Sequence, residues 1–233
     1  MVCNVITADK ANRLFWLGRY AERVYISLHL LRRYYDSVID GDIANLKEYY
    51  SMLGVNTDGQ DQLSREFQLA QLYSRENSCS IISSLVSTND NAIVLRHDIK
   101  SESLSYIQMS IAHIEECGAR GEDNITLLQP VTDYMLAFFG SIDERIFDER
   151  TRKFLRIGRL IENIDLHIRF RYPFFRIEEA FLNLKESLKI AGAVYDTNSL
   201  EQLDDILIEA SYRPDQDSYR IRVLNYLNTL LLI

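Results

Sequence analysis

Two segments of this chain repeat one helical pattern, and the repeat limits the fold more than any other feature. Residues 14–24 read Leu-Phe-Trp-Leu-Gly-Arg-Tyr-Ala-Glu-Arg-Val, and residues 154–164 read Phe-Leu-Arg-Ile-Gly-Arg-Leu-Ile-Glu-Asn-Ile. Glycine, arginine and glutamate coincide, and the apolar residues recur three and four positions apart in the same phase. The sequence therefore predicts an all-α, multi-helix bundle with an internal pseudo-two-fold repeat of a Gly-Arg-x-x-Glu helix.

The glycine of each repeat lies inside its helix. A glycine in a helix interior costs about 1 kcal/mol relative to alanine, so Gly18 and Gly158 each need a packing reason. The other seven of the nine glycines are predicted to lie at helix ends or in loops, and Gly118 and Gly140 are each predicted to end a helix. We expect another helix, or a ligand, to approach the backbone closely at Gly18 and Gly158.

The remaining pattern predicts one domain. Three prolines in 233 residues favour long helices, and the second repeat helix is predicted to start near Glu149 and to end before Pro173. No convincing strand alternation is present. We predict one all-helical domain over residues 1–233, with repeat halves at approximately 7–118 and 126–233.

Composition excludes several classes of protein. A net charge of −8 argues against non-specific binding to nucleic acid or to an anionic membrane. The three cysteines (Cys3, Cys79 and Cys117) are odd in number and form no Cys-x-x-Cys pair, so free thiols in a reducing compartment are expected. No signal peptide and no apolar run long enough to cross a bilayer is apparent. These features predict a cytoplasmic protein.

The repeated charges predict a cluster. Arg19 and Glu22 are three residues apart and can pair within one helix. If the two repeat helices pack near their glycines, a reciprocal arrangement follows, with Arg19 on Glu162 and Arg159 on Glu22. Two interpretations remain open: structural ion pairs, or a pocket for an anionic or zwitterionic ligand.

These residues resemble a known family. Residues 14–23 look like the opening of the bacterial alpha-E family, an all-helical family with a Glu-Arg motif, and residues 154–162 resemble its second such helix, although Asn163 stands where arginine is expected. The chain also matches the family's middle segment at Asn77, Ser80, Ile81, Asn91, Ala92, Arg96 and Glu102. It departs from that segment at Ser78, Asn89, Asp90 and Ile93.

The resemblance implies a candidate site and a partner. The site, a ligand-binding or structural ion cluster, would comprise the charges of the repeat, Arg19, Glu22, Arg159 and Glu162. The resemblance adds Arg23, Asn91, Arg96 and Glu102. The resemblance also implies association with ATP-grasp ligases or transglutaminase-like proteins, in peptide synthesis or modification.

We find no catalytic motif in the sequence that would assign a reaction. A di-metal carboxylate bundle needs Glu-x-x-His on two helices, and no histidine here lies three residues after a glutamate. Nucleotide-binding glycine motifs and nucleophile motifs are also missing, so we expect neither a cofactor nor a metal and assign no catalytic residue. Two function classes follow: a helical accessory protein, or an enzyme or ligand-binding module acting on peptides or amino acids through a buried Arg/Glu cluster.

Overall fold

The all-α helical-bundle class is confirmed by a computed structural model of the chain. The structure describes residues 6–41, 43–55, 57, 59, 61 and 64–233. Within these residues it has eleven α helices and no strand, and one isolated pair of bridging residues, Tyr195 and Leu231. The helices are α1 (Ala8–Ile39), α2 (Ile43–Met52), α3 (Arg65–Tyr73), α4 (Ile81–Val94), α5 (Arg96–Ile99), α6 (Ser101–Arg120), α7 (Gln129–Arg145), α8 (Glu149–Arg169), α9 (Phe174–Ala191), α10 (Thr197–Ile206) and α11 (Asp217–Thr229).

The two repeat helices are α1 and α8, and their ends follow local capping chemistry. The Thr7 hydroxyl accepts a hydrogen bond from the Lys10 N–H (3.3 Å) at the start of α1. Asp148 caps α8, because its carboxylate accepts the Thr151 N–H at 3.0 Å. As predicted, α8 ends before Pro173, whose ring disfavours a helical conformation in the preceding residue.

Two of the predicted helix ends are wrong. We predicted that Gly118 and Gly140 end helices, but α6 continues past Gly118 to Arg120 and α7 continues past Gly140 to Arg145. The residue that ends α6 is Gly121, which adopts a left-handed conformation at φ 64°. Glycine is only a weak helix breaker, so tertiary packing of the rest of the helix overrides its preference.

The chain divides into two compact units. The discontinuous unit comprises residues 1–19 and 146–233, and the central unit comprises residues 20–145. Helix α1 contributes residues to both units. The single domain over 1–233 and the repeat halves proposed above stay predictions.

In the discontinuous unit, α8 packs along α9 and also contacts α11, which packs against α10. The amphipathic stripe of α8 supplies much of the core. Its inward residues Ile157, Ile161 and Ile164 have no exposed surface.

In the central unit, α6 packs against α7, α4, α3 and α5. An aromatic cluster joins α1, α2 and α3: the ring of Tyr49 contacts those of Tyr34 and Tyr50, and the ring of Tyr50 contacts that of Phe67. The Tyr49 hydroxyl donates a hydrogen bond to the Ser27 carbonyl at 3.0 Å, which satisfies its polar group in the core.

The apolar stripe predicted for α1 is buried along its whole length, at Leu14, Leu17, Ala21, Val24, Leu28 and Leu31. Cys79 is exposed, Cys117 is buried, and both are free thiols, whereas Cys3 lies outside the described residues. Among the described residues, no helix combines the length and the apolar composition that crossing a bilayer requires.

Candidate functional site

The two mid-helix glycines lie at a backbone crossing within the discontinuous unit. A Cβ added to Gly18 would lie 2.1 Å from the Leu155 carbonyl oxygen, and a Cβ added to Gly158 would lie 2.0 Å from the Phe15 carbonyl oxygen. Both distances are far below van der Waals contact, so each helix presents its glycine to the other helix's backbone. The expected close approach at Gly18 and Gly158 is thus confirmed, and the approaching group is a helix.

The crossing brings the Arg19 side chain to the acidic face of α8. Its Nε donates a hydrogen bond to Glu162 Oε2 at 2.8 Å. Its Nη2 lies 3.6 Å from Asp165 Oδ2, and its Nη1 donates to Asn228 Oδ1 at 3.1 Å. Each nitrogen of the guanidinium therefore has a protein oxygen as its partner, and half of the reciprocal arrangement, Arg19 with Glu162, is present as predicted.

Aromatic rings and a second arginine complete this cluster. The guanidinium carbon of Arg19 lies 5.8 Å from the ring centroid of Phe15 and 5.5 Å from that of Trp16, within cation–π range. On the other side, Arg169 donates through Nε to Asp165 Oδ1. We refer to Arg19, Glu162, Asp165 and Arg169 as the ion cluster.

The ion cluster is charge-balanced and mostly buried. The exposed fraction is 7% for Arg19, 0% for Glu162 and 4% for Asp165, and the two arginines formally balance the two carboxylates. Burial raises the pKa of the Asp165 carboxyl; Glu162 also raises it, whereas Arg169 and Arg19 oppose the shift. Removing one member would leave a charge without compensation in a poorly solvated place.

The other predicted residues of the repeat helices have mixed environments. Glu22 is buried, whereas Arg159 and Arg23 are half-buried. The pairing of Arg159 with Glu22 stays a prediction.

The residues predicted from the family's middle segment lie in the central unit. Arg96 is exposed on α5, and Glu102 is exposed on α6, 3.9 Å from Arg145. Asn91 is half-buried, and its side-chain amide donates to the Ser87 carbonyl at 2.9 Å. Because Arg96 and Glu102 face solvent, they are not members of a buried cluster, and a ligand-binding role for these three residues stays a prediction.

Sequence reasoning missed three contributors to the ion cluster and its edge. Asp165 follows Glu162 by three residues and Arg169 follows Asp165 by four, so helical spacing within α8 could have identified both. Asn228 lies on α11, and no pattern in the sequence connects it with Arg19.

The chemistry available to the ion cluster is ion pairing and hydrogen bonding. Its two carboxylates are both engaged by arginine. Within the part of the chain that the structure describes, no group of three or more His, Cys, Asp or Glu side chains is placed to hold a metal ion. Through Arg19, the ion cluster links α1 to α8 beside their crossing.

Comparison with known proteins gives one family. Residues 8–202 match Alpha-E, described as a predicted alpha-helical domain with a conserved ER motif. This span includes both repeat helices and a Glu-Arg pair at Glu22-Arg23. No curated protein and no solved structure matches the chain. Because the match covers most of the sequence, and the fold is helical as the description requires, the chain belongs to the Alpha-E family.

Proposed function

We propose that the protein is a non-catalytic helical accessory protein, which docks on an ATP-grasp ligase or a transglutaminase-like protein during peptide synthesis or modification. The resemblance described above supports this choice of partner. We also propose that it acts in the bacterial cytoplasm.

The observation that carries the proposal is the internal pairing of the ion cluster. The Arg19 guanidinium, which a substrate carboxylate would need, already contacts Glu162, Asp165 and Asn228. An anionic ligand would have to displace these partners and separate the buried Glu162 carboxylate from the Arg19 guanidinium, which is costly. The charges of the repeat helices therefore serve the helix crossing better than they serve catalysis.

The alternative is a ligand-binding module that works through these same charges. It requires Arg19 or Glu162 to contact a ligand that reaches them from solvent. The exposed fractions of 7% and 0% and the complete set of protein partners on Arg19 argue for the structural role.

The first experiment is affinity capture. The tagged full-length chain is used to capture proteins from its native host, with a tagged unrelated helical protein as control, and the captured proteins are identified by mass spectrometry. We expect selective enrichment of an ATP-grasp or a transglutaminase-like protein. Enrichment of neither class, or turnover of peptide substrates by the purified chain alone, would contradict the proposal.

A matched pair of variants then tests the role of the ion cluster. Asn228→Ala removes the acceptor of Arg19 Nη1, whereas Asn225→Ala removes another exposed asparagine from the same helix, α11. We expect Asn228→Ala to lose about 1 kcal/mol of unfolding free energy and both variants to bind the captured partner as tightly as wild type. If Asn228→Ala weakened partner binding while its stability was unchanged, the cluster would be a functional site instead.

A further inference from the structure

A cleft of about 480 Å³ opens on the central unit. One wall is the part of α1 that carries Tyr20 and Arg23, and another is the turn before α4, which carries Arg75 and Glu76. The third wall is α4, through its serines Ser83, Ser84 and Ser87. We call it the arginine–serine cleft, and the ion cluster contributes no residue to it.

Helical spacing explains why these side chains converge. Tyr20 and Arg23 are three residues apart on α1, and Ser83 and Ser87 are four residues apart on α4, so each pair shares one helix face. Ser84 adds a third serine to the wall formed by α4. Two helix faces therefore present hydrogen-bond donors to one space.

The turn before α4 is held in place by its own hydrogen bonds. The Ser80 hydroxyl accepts the Ser83 N–H at 3.1 Å and donates to the Ser74 carbonyl at 2.6 Å. The Ser83 hydroxyl lies 3.1 Å from the Arg75 carbonyl, to which it can donate. These contacts fix the backbone from which Arg75 extends, so the cleft is largely formed before any ligand arrives.

The charge of the lining differs from that of the chain. The protein carries a net charge of −8, yet the cleft is lined by two arginines and one carboxylate, Glu76. Arg75 also pairs with Glu115 outside the lining; both side chains are about half exposed, and exposed pairs of this kind are weak and readily exchanged. The charged residues of the lining therefore sum to one positive charge, whereas the protein as a whole is acidic.

We propose that the arginine–serine cleft binds the carboxylate or phosphate group of a small molecule. Guanidinium groups bind both oxyanions through charge-assisted hydrogen bonds, often in pairs. The hydroxyls of Ser84 and Ser87 supply further donors, whereas that of Ser83 is used within the turn. The positive end of α4, which begins at Ile81, adds a favourable field for an anion. The volume is in the range of small-molecule sites, so the ligand is larger than the anion alone. This inference does not depend on the proposed protein partner.

The test is a pair of titrations of the ¹⁵N-labelled full-length chain followed by NMR. One uses inorganic phosphate and the other sodium N-acetylglycinate, which offers a carboxylate, each at constant ionic strength. We expect saturable shifts of backbone amides within residues 75–87 in at least one titration. Saturation with only one compound identifies that oxyanion, and saturation with both identifies their shared chemistry.

Variants locate the binding. Arg75→Gln and Arg23→Gln are each expected to weaken binding about tenfold, and because Arg75 is exposed, its variant should fold normally. Lys47→Gln, which removes an exposed charge from α2 in the same unit, should bind as wild type does. Absence of saturation with both compounds, or equal affinities in Arg75→Gln and wild type, would overturn the assignment.

Discussion

Alanine at either glycine of the α1–α8 crossing should strongly destabilise the discontinuous unit. The Cβ of Gly18→Ala would lie 2.1 Å from the Leu155 carbonyl oxygen, and that of Gly158→Ala would lie 2.0 Å from the Phe15 carbonyl oxygen. The groups that obstruct them are backbone, which cannot rotate away as a side chain could. The helices must therefore separate.

The size of the loss in unfolding free energy follows from that separation of the helices. Ordinary contact begins near 3.4 Å, so the helices must move apart by roughly 1.3 Å, and a gap of this order forfeits a large part of the dispersion attraction between the facing atoms. Overpacking of a core costs about 1–3 kcal/mol or more, and the higher helix propensity of alanine returns about 1 kcal/mol. Because Arg19 follows Gly18, the separation would also stretch the Arg19–Glu162 hydrogen bond. With about 1 kcal/mol for the weakened hydrogen bond, we expect a net loss of about 1–3 kcal/mol for each variant.

The assay is urea unfolding, monitored by tryptophan fluorescence. The chain has one tryptophan, Trp16, which lies beside Arg19 at the crossing, so its emission reports on this unit. The matched control is Gly140→Ala: Gly140 is also inside a helix, but nothing lies within 4 Å of its would-be Cβ. We expect this control variant to gain about 0.5–1 kcal/mol of unfolding free energy, measured by urea unfolding with circular dichroism as the signal.

The double variant tests the geometry itself. Once one Cβ has separated the helices, the second finds space, so Gly18→Ala with Gly158→Ala should cost clearly less than the sum of the two single variants. Single variants within about 0.5 kcal/mol of wild type would refute the reasoning, since losses that small are typical of unimportant surface positions.

Three further predictions concern single side chains. Glu162→Leu should cost about 3–5 kcal/mol in urea unfolding, because it leaves the buried Arg19 without its main acceptor, and adding Arg19→Met should recover part of that loss. Burial lowers the pKa of His167 to about 4, so the unfolded chain takes up a proton first as the pH falls. Folding stability should therefore decline between pH 6.5 and 4 by up to about 3 kcal/mol, and His167→Phe should flatten this decline in pH-dependent unfolding. Ser80→Ala removes the cap of α4 and should cost about 1 kcal/mol, measured by thermal unfolding.

Each of these predictions has a contrary outcome. A double variant of Arg19 and Glu162 no more stable than Glu162→Leu alone would show that the pair is not coupled. An unchanged pH profile in His167→Phe, or an equal change in the exposed His97→Gln control, would show that His167 does not control acid stability. An unaltered melting temperature in Ser80→Ala would mean that the cap is redundant.

The sequence predicts the crossing well because its signals are local and periodic. The shared phase of the apolar residues identifies α1 and α8, and the energetic cost of Gly18 and Gly158 inside helices identifies where they approach. The Arg19–Glu162 pair then follows, because both residues have a fixed spacing from those glycines.

Other features escape sequence reasoning because tertiary packing decides them. Gly140 lies inside α7 although its propensity suggests a helix end, since the rest of that helix is held by its buried face. Asn228 reaches Arg19 from a helix whose position nothing in the sequence specifies. Arg96 and Glu102 match the family's pattern, yet their exposure depends on how α5 and α6 pack.

The sequence separation within the discontinuous unit has a consequence for biosynthesis. Arg19 and Glu162 are 143 positions apart, and ribosomes add about 5–20 residues per second. Helix α8 is therefore synthesised on the order of ten seconds after the first turns of α1. Gly18 and Arg19 lack their native neighbours on α8 throughout that interval, so these residues of the unit are packed long after they are synthesised.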